Sequence, residues 1–126
     1  VGSVYGKNAG DQFAALFSGH VGAAAAHAKA TFAGDDQKKK EAVSSLLNNA
    51  SQIAEFLSKA NPNWPKETVL ELLTRHGKDL IDSHEALYRG DIEEEFRIWN
   101  GSVEHILMVA DAVAEGIVKQ FPEKFK

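Results

Sequence analysis

The chain has 126 residues, 44% of them hydrophobic and 25% charged, a balance typical of a soluble globular protein. A net charge of −4 and a pI near 5.7, without a concentrated basic face, argue against nucleic-acid binding. The lack of cysteine excludes disulfides, thiolate zinc sites and cysteine nucleophiles. No apolar stretch approaches the roughly 20 residues of a membrane span. We therefore expect a soluble protein without a membrane partner, and the composition leaves cytoplasm and periplasm equally open.

Helical periodicity of the apolar residues runs through the whole chain and predicts an all-α, single domain over 1–126. Four amphipathic helices joined by short loops favour an up-down-up-down four-helix bundle. Turn signals, including two prolines at Asn61-Pro62-Asn63-Trp64-Pro65, divide it into two helical hairpins. The predicted segments are an N-terminal arm at 1–10, a first hairpin at 11–60 and a second hairpin at 65–121. We interpret the arm as extended or as the remnant of a preceding element.

The two predicted hairpins resemble each other, which suggests an internal repeat. His20 and His76 are 56 residues apart, and Gly34-Asp35 is answered by Gly90-Asp91 at the same offset. A repeat of this kind makes His20 and His76 structurally equivalent, one on the first predicted helix and one on the third.

Core-facing residues are predicted from spacings of three, four and seven. On the first helix Phe13, His20 and His27 are seven apart, so both histidines are expected on the buried face. The fourth helix has the most regular stripe: Phe96, Trp99, Val103, Ile106, Ala110, Val113 and Ile117. His105 lies off this stripe and is expected at the surface.

The histidines of the first and third helices predict two polar layers inside the bundle. His20 and His76 fall at one level, and His27 and His84 about seven residues above them. Glu104 of the fourth helix flanks the seam at the lower level, either as an ordinary flanking charge or with its carboxylate turned inward. Imidazole and carboxylate groups from facing helices are ligands for iron, zinc or manganese. We therefore interpret these five residues as candidate metal ligands, although the Glu-x-x-His spacing of ferritin-like di-iron proteins is absent.

A different class of function is also consistent with the sequence. The face of the first helix rich in alanine and glycine, with Gly19, Gly22 and the run 23–26, suits close approach by another chain. The alternative is thus a structural or interaction module that forms a homo-oligomer or docks a protein partner. Neither Ser18 near His20 nor Ser83 beside His84 has the spacing of a nucleophile and its base, so the sequence favours a non-enzymatic function.

Three segments resemble a family of uncharacterised bacterial all-helical proteins. They are the Asn61-Pro62-Asn63-Trp64 hairpin, the segment from His105 to Asp111, and Gln120-Phe121-Pro122-Glu123-Lys124-Phe125 near the C-terminus. The resemblance implies an all-helical fold with further helices upstream, and it implies no established activity.

Overall fold

The computed structural model describes residues 1–126 and contains helices but no strand, which confirms the all-α prediction. None of the helices has the length and apolar character needed to cross a membrane. A short 3₁₀ helix at Pro122–Phe125 follows five α-helices: α1 (Gly2–Tyr5), α2 (Lys7–Phe32), α3 (Asp36–Ala60), α4 (Lys66–Arg89) and α5 (Ile92–Gln120).

The turn between α2 and α3 and the turn between α4 and α5 are both formed by a glycine followed by an aspartate. Gly34 and Gly90 adopt positive φ values of 66° and 71°, a left-handed conformation that glycine tolerates best. The aspartates that follow cap the next helices. Asp35 accepts a hydrogen bond from the Lys38 backbone N–H, and Asp91 accepts one from that of Glu94. These turns end α2 and α4 and start α3 and α5.

The N-terminal arm is not extended, since residues 2–5 and 7–10 are helical, and this corrects the first of the two interpretations given for residues 1–10. α1 folds back on α2, and a Cβ at Gly10 would lie 2.8 Å from the Cα of Gly2. Tyr5, at the end of α1, is half-buried against the hydrophobic core. The apolar contact of Tyr5 therefore holds α1 against the core.

Contacts between the helices define a three-helix arrangement with α5 at its edge. α2 contacts α3 and α4, α3 contacts α4, and α5 packs mainly on α4. A closed four-helix bundle, with α5 also packed along α2, is not confirmed by these contacts.

The main apolar core lies at the end of the molecule where α3 joins α4. Ile53, Leu57 and Trp64 are buried there. Partly buried residues from the other helices surround them: Tyr5, Phe13, Leu16, Phe56, Val69, Leu73, Val113 and Ile117. The Asn-Pro-Asn-Trp loop thus forms part of the core.

Asn61 organises the polar contacts of this end and is fully buried. Its amide donates to the Tyr5 hydroxyl at 2.9 Å, and its Oδ1 accepts from the Asn63 backbone N–H at 2.8 Å. The Tyr5 hydroxyl donates in turn to Oε1 of Gln120 at 2.7 Å. One side chain therefore links the α3–α4 loop to α1 and to the end of α5.

The face of α5 that packs on α4 differs from the predicted one. His105 and Gly116 are buried, whereas the predicted core residues Phe96 and Trp99 are 64% and 57% exposed. The buried face is turned by roughly 100° from the predicted stripe, which is one residue on a helix of 3.6 residues per turn. The predicted stripe is wrong along the first two thirds of α5, where its bulky side chains face solvent.

Candidate functional site

Histidines from α2 and α4 meet in pairs at two levels of the bundle. His20 stacks beside His76 with ring centres 5.7 Å apart, and His27 stacks beside His84 at 5.3 Å. The two contacts occur in the same order along both helices, so α2 and α4 run in the same direction here. The pairing is the one that the sequence predicts for these four residues.

In the upper pair, His27 and His84 form a hydrogen bond with each other. The Nδ1 atoms of His27 and His84 are 3.0 Å apart, a hydrogen-bond distance in which one ring donates and the other accepts. Burial lowers the pKa of both histidines, with smaller and opposing effects from Glu85 and Lys39 near His27 and from the paired ring and Glu85 near His84. Both rings are therefore held neutral and share one N–H between them.

In the lower pair, His20 and His76 each have a ring nitrogen without a hydrogen-bond partner. His20 is buried, and the Nδ1 atoms of both His20 and His76 are shielded from solvent without any hydrogen-bond partner. Burial lowers the pKa of His76, nearby His20 and His105 lower it further, and Asp79 opposes them. A neutral imidazole in this position presents a free lone pair or a free N–H to the space beside it.

His105 belongs to the same part of the core, contrary to the expectation that it lies at the surface. It is 2% exposed, and its Nε2 donates to the Leu72 carbonyl at 2.9 Å. The other ring nitrogen, Nδ1, is also buried without a partner. Only the small residues around it on α5, such as Gly101 and Ser102, indicate in the sequence that this side can face α4.

Two further oxygens near this level lack partners. Asn49 on α3 donates its amide to the Leu16 carbonyl at 2.9 Å, but its Oδ1 is buried and unpaired. Oδ2 of Asp79 on α4 is buried and unpaired as well. A Cβ at Gly19 would lie 3.2 Å from the Asn49 amide nitrogen, so glycine leaves room for this residue. The unpaired buried side-chain atoms thus come from His20, Asn49, His76, Asp79 and His105.

Glu104 is not brought to this cluster. It is exposed on α5, and its neighbour His105 takes the inward position instead. No group of three or more histidine, aspartate or glutamate side chains is close enough together to hold a metal ion. The preformed element of the site is therefore a pair of imidazoles.

His20 is accessible from a cleft between α3 and α4. The cleft has a volume of about 240 Å³ and is lined mainly by small and apolar residues: Leu46, Leu47, Ala50, Leu73, Thr74, Gly77, Lys78 and Ile81. The cleft therefore borders His20 but does not include His76.

Comparison with known proteins adds no assignment. No protein family, curated protein or solved structure matches this chain.

Proposed function

We propose that the protein binds one transition-metal ion between α2 and α4, with His20 and His76 as its ligands. The observation that carries this proposal is the pair of buried Nδ1 atoms without hydrogen-bond partners. Buried polar atoms are nearly always paired, so an unpaired nitrogen on each of two neighbouring imidazole rings suggests a bound ion or ordered water. Imidazole nitrogens favour zinc or iron, whereas manganese prefers oxygen ligands.

The separation of the two rings supports a shared ion. With metal–nitrogen bonds of about 2.1 Å, two imidazoles on one ion have ring centres roughly 5 to 6.5 Å apart, depending on the bond angle. His20 and His76 have ring centres 5.7 Å apart, within that range. His27 and His84 also lie within it, but their mutual hydrogen bond already satisfies one nitrogen of each ring.

Further ligands come from water or from neighbouring polar atoms. The Nδ1 of His105 and the Oδ2 of Asp79 are unpaired and influence the same His76 ring. A change of side-chain rotamer in either residue would complete a three-ligand set. Glu104 is a weaker candidate because its side chain is exposed.

Metal binding is tested with protein purified without an affinity tag. We expect one Zn²⁺ per chain by calorimetry, and visible absorption bands when Co²⁺ is bound instead. His20→Gln with His76→Gln should reduce the metal affinity at least 100-fold. The matched control is His27→Gln with His84→Gln, which removes two buried histidines from the same helices and should leave stoichiometric binding.

Two outcomes would overturn the metal site. One is wild-type protein that binds neither Zn²⁺ nor Co²⁺ at micromolar concentration. The other is equal binding by wild-type protein and by the His20 and His76 double variant. Circular dichroism of each variant checks that the helices are retained.

A second candidate function is assembly with another protein chain, favoured by the number of large apolar side chains that face solvent. The alanine-rich face of α2 is the surface suggested by the sequence. In the folded chain Ala23, Ala26, Ala30 and Ala33 line a cleft of about 400 Å³ between α2 and α3, together with Ala42 and several polar residues. The assembly function is wrong if the protein stays monomeric and captures no partner at its cellular concentration.

A further inference from the structure

The bulky side chains of α5 form a stripe with the spacing of a helix–helix interface. Ile92, Phe96, Trp99, Val103 and Ile106 follow one another at intervals of four and three residues, as in the heptad pattern of paired helices. All five are exposed, from 41% for Ile106 to 64% for Phe96. We refer to these five residues as the α5 stripe.

The opposite side of α5 explains why this stripe remains free. The covered side of α5 combines small and polar residues, among them Gly101, Ser102, His105 and Gly116, with the partly buried apolar residues Ile98, Val109, Val113 and Ile117. Gly116 approaches the Trp64 ring so closely that a Cβ would lie 2.0 Å from Nε1. Close packing through the covered side of α5 therefore leaves the α5 stripe turned away from the rest of the chain.

The accessible surface of the chain leaves room for an interface of ordinary size. It amounts to 7761 Å², whereas a compact monomer of 13.7 kDa is expected to expose about 6,600 Å². The surplus of about 1,200 Å² exceeds the roughly 800 Å² that each partner buries in a standard protein interface. This surplus belongs to the chain as a whole, and the exposed side chains of the α5 stripe contribute to it.

We propose that the α5 stripe pairs with the α5 stripe of a second copy of this chain, in antiparallel orientation. The inference rests on the second candidate function, assembly, and names its surface and partner. The charges at the start of the helix favour the antiparallel arrangement. Asp91, Glu93, Glu94 and Glu95 would lie beside their own copies in a parallel pair, and like charges in register are unfavourable.

The register follows from the ends of the stripe. With Ala110, which continues the pattern and is exposed, the stripe is centred near Gly101. A two-fold axis at this position places Trp99 opposite Val103 of the second copy and Phe96 opposite its Ile106. The same surface then serves both chains, as a two-fold symmetric dimer requires.

Light scattering at about 50 μM tests the surface. We expect twice the 13.7 kDa mass for wild-type protein and a single-chain mass for Trp99→Asp with Val103→Asp. Leu47→Asp is the matched control, because Leu47 is an equally exposed apolar residue on α3. Its mass should remain that of a dimer.

The absence of native cysteine allows the orientation to be tested by disulfide trapping. A Phe96→Cys chain mixed with an Ile106→Cys chain should give mainly the mixed disulfide under mild oxidation. An Ala25→Cys chain, altered at an exposed position on α2, should cross-link little. Dominance of the Phe96→Cys self-disulfide would overturn the antiparallel orientation.

The remaining outcomes separate this surface from assembly in general. A dimer that survives the two α5 substitutions but is lost on Ala26→Glu would overturn the α5 stripe and leave assembly through α2 in place. A wild-type chain that is monomeric at 50 μM would overturn self-association through any face. Circular dichroism confirms that the α5 variant is folded, which is expected because both altered side chains face solvent.

Discussion

At the scale of single residues, the unpaired atoms around His76 are the most unusual feature of the core. A buried donor or acceptor without a partner costs about 1–3 kcal/mol, and five of them come from His20, Asn49, His76, Asp79 and His105. The total cost for the five residues is comparable with the net stability of a small domain, about 5–15 kcal/mol. A bound ion or ordered water that satisfies several of these atoms at once would remove most of the cost.

Gly116 gives a residue-scale prediction about the packing of α5. Gly116→Ala should lower the free energy of unfolding by about 1–3 kcal/mol, because the new Cβ displaces Trp64 from the core. The measurement is urea denaturation followed by circular dichroism.

Gly77→Ala is the control, since a Cβ at Gly77 meets no atom within 4 Å. Alanine in that helix interior should raise the free energy of unfolding by about 0.5–1 kcal/mol. If both substitutions stabilise the protein, the close approach of α5 to Trp64 is wrong.

At the scale of helices, α5 behaves as a helix with two apolar faces and α3 as a helix with one. Leu46, Ala50, Ile53 and Leu57 lie on one face of α3 and are buried, because α2 and α4 cover that side. α5 contacts mainly α4, so only one of its two faces is covered.

The start of α3 provides an element-scale prediction. Asp35 caps the helix through a 3.0 Å hydrogen bond from the Lys38 N–H, so Asp35→Ala should destabilise the protein by about 1 kcal/mol. Asp35→Asn should have little effect, because asparagine caps a helix about as well as aspartate. Thermal unfolding of both variants at pH 7 measures the difference, and equal losses would show that charge rather than capping matters.

At the scale of the whole molecule, the buried histidines couple stability to pH. Burial holds the pKa of His27, His76 and His84 below the unfolded value of about 6.5. Below pH 6.5 the unfolded chain therefore binds more protons than the folded chain, and the free energy of unfolding falls as the pH drops. Above pH 6.5 this contribution is fully present.

The expected result for metal-free protein is a melting temperature that is constant from pH 8 to 7 and falls below pH 6.5. His27→Gln with His84→Gln should flatten part of this dependence, since the two lowered pKa values are removed. Added Zn²⁺ should raise the melting temperature at neutral pH and steepen the fall, because protons compete with the metal for imidazole. A constant melting temperature from pH 7.5 to 5 would contradict the burial of neutral histidines.

The internal repeat remains a prediction, because the two hairpins differ in packing. α3 contributes seven buried residues, whereas α5 contributes only His105 and Gly116. His20 and His76 face each other as the offset of 56 residues suggests, but their surroundings are not alike. Similar spacing in sequence is therefore not matched by similar burial.

By itself, the sequence determined the helical class, the turns at Gly34-Asp35 and Gly90-Asp91, and the pairing of His20 with His76 and His27 with His84. These features depend on local periodicity, on capping chemistry and on helix direction. Tertiary structure decided which side of α5 is buried, because a helix with two apolar faces packs through the one whose small residues allow the closer approach. It also decided that His105 points inward and Glu104 outward, since a rotation of one residue exchanges them.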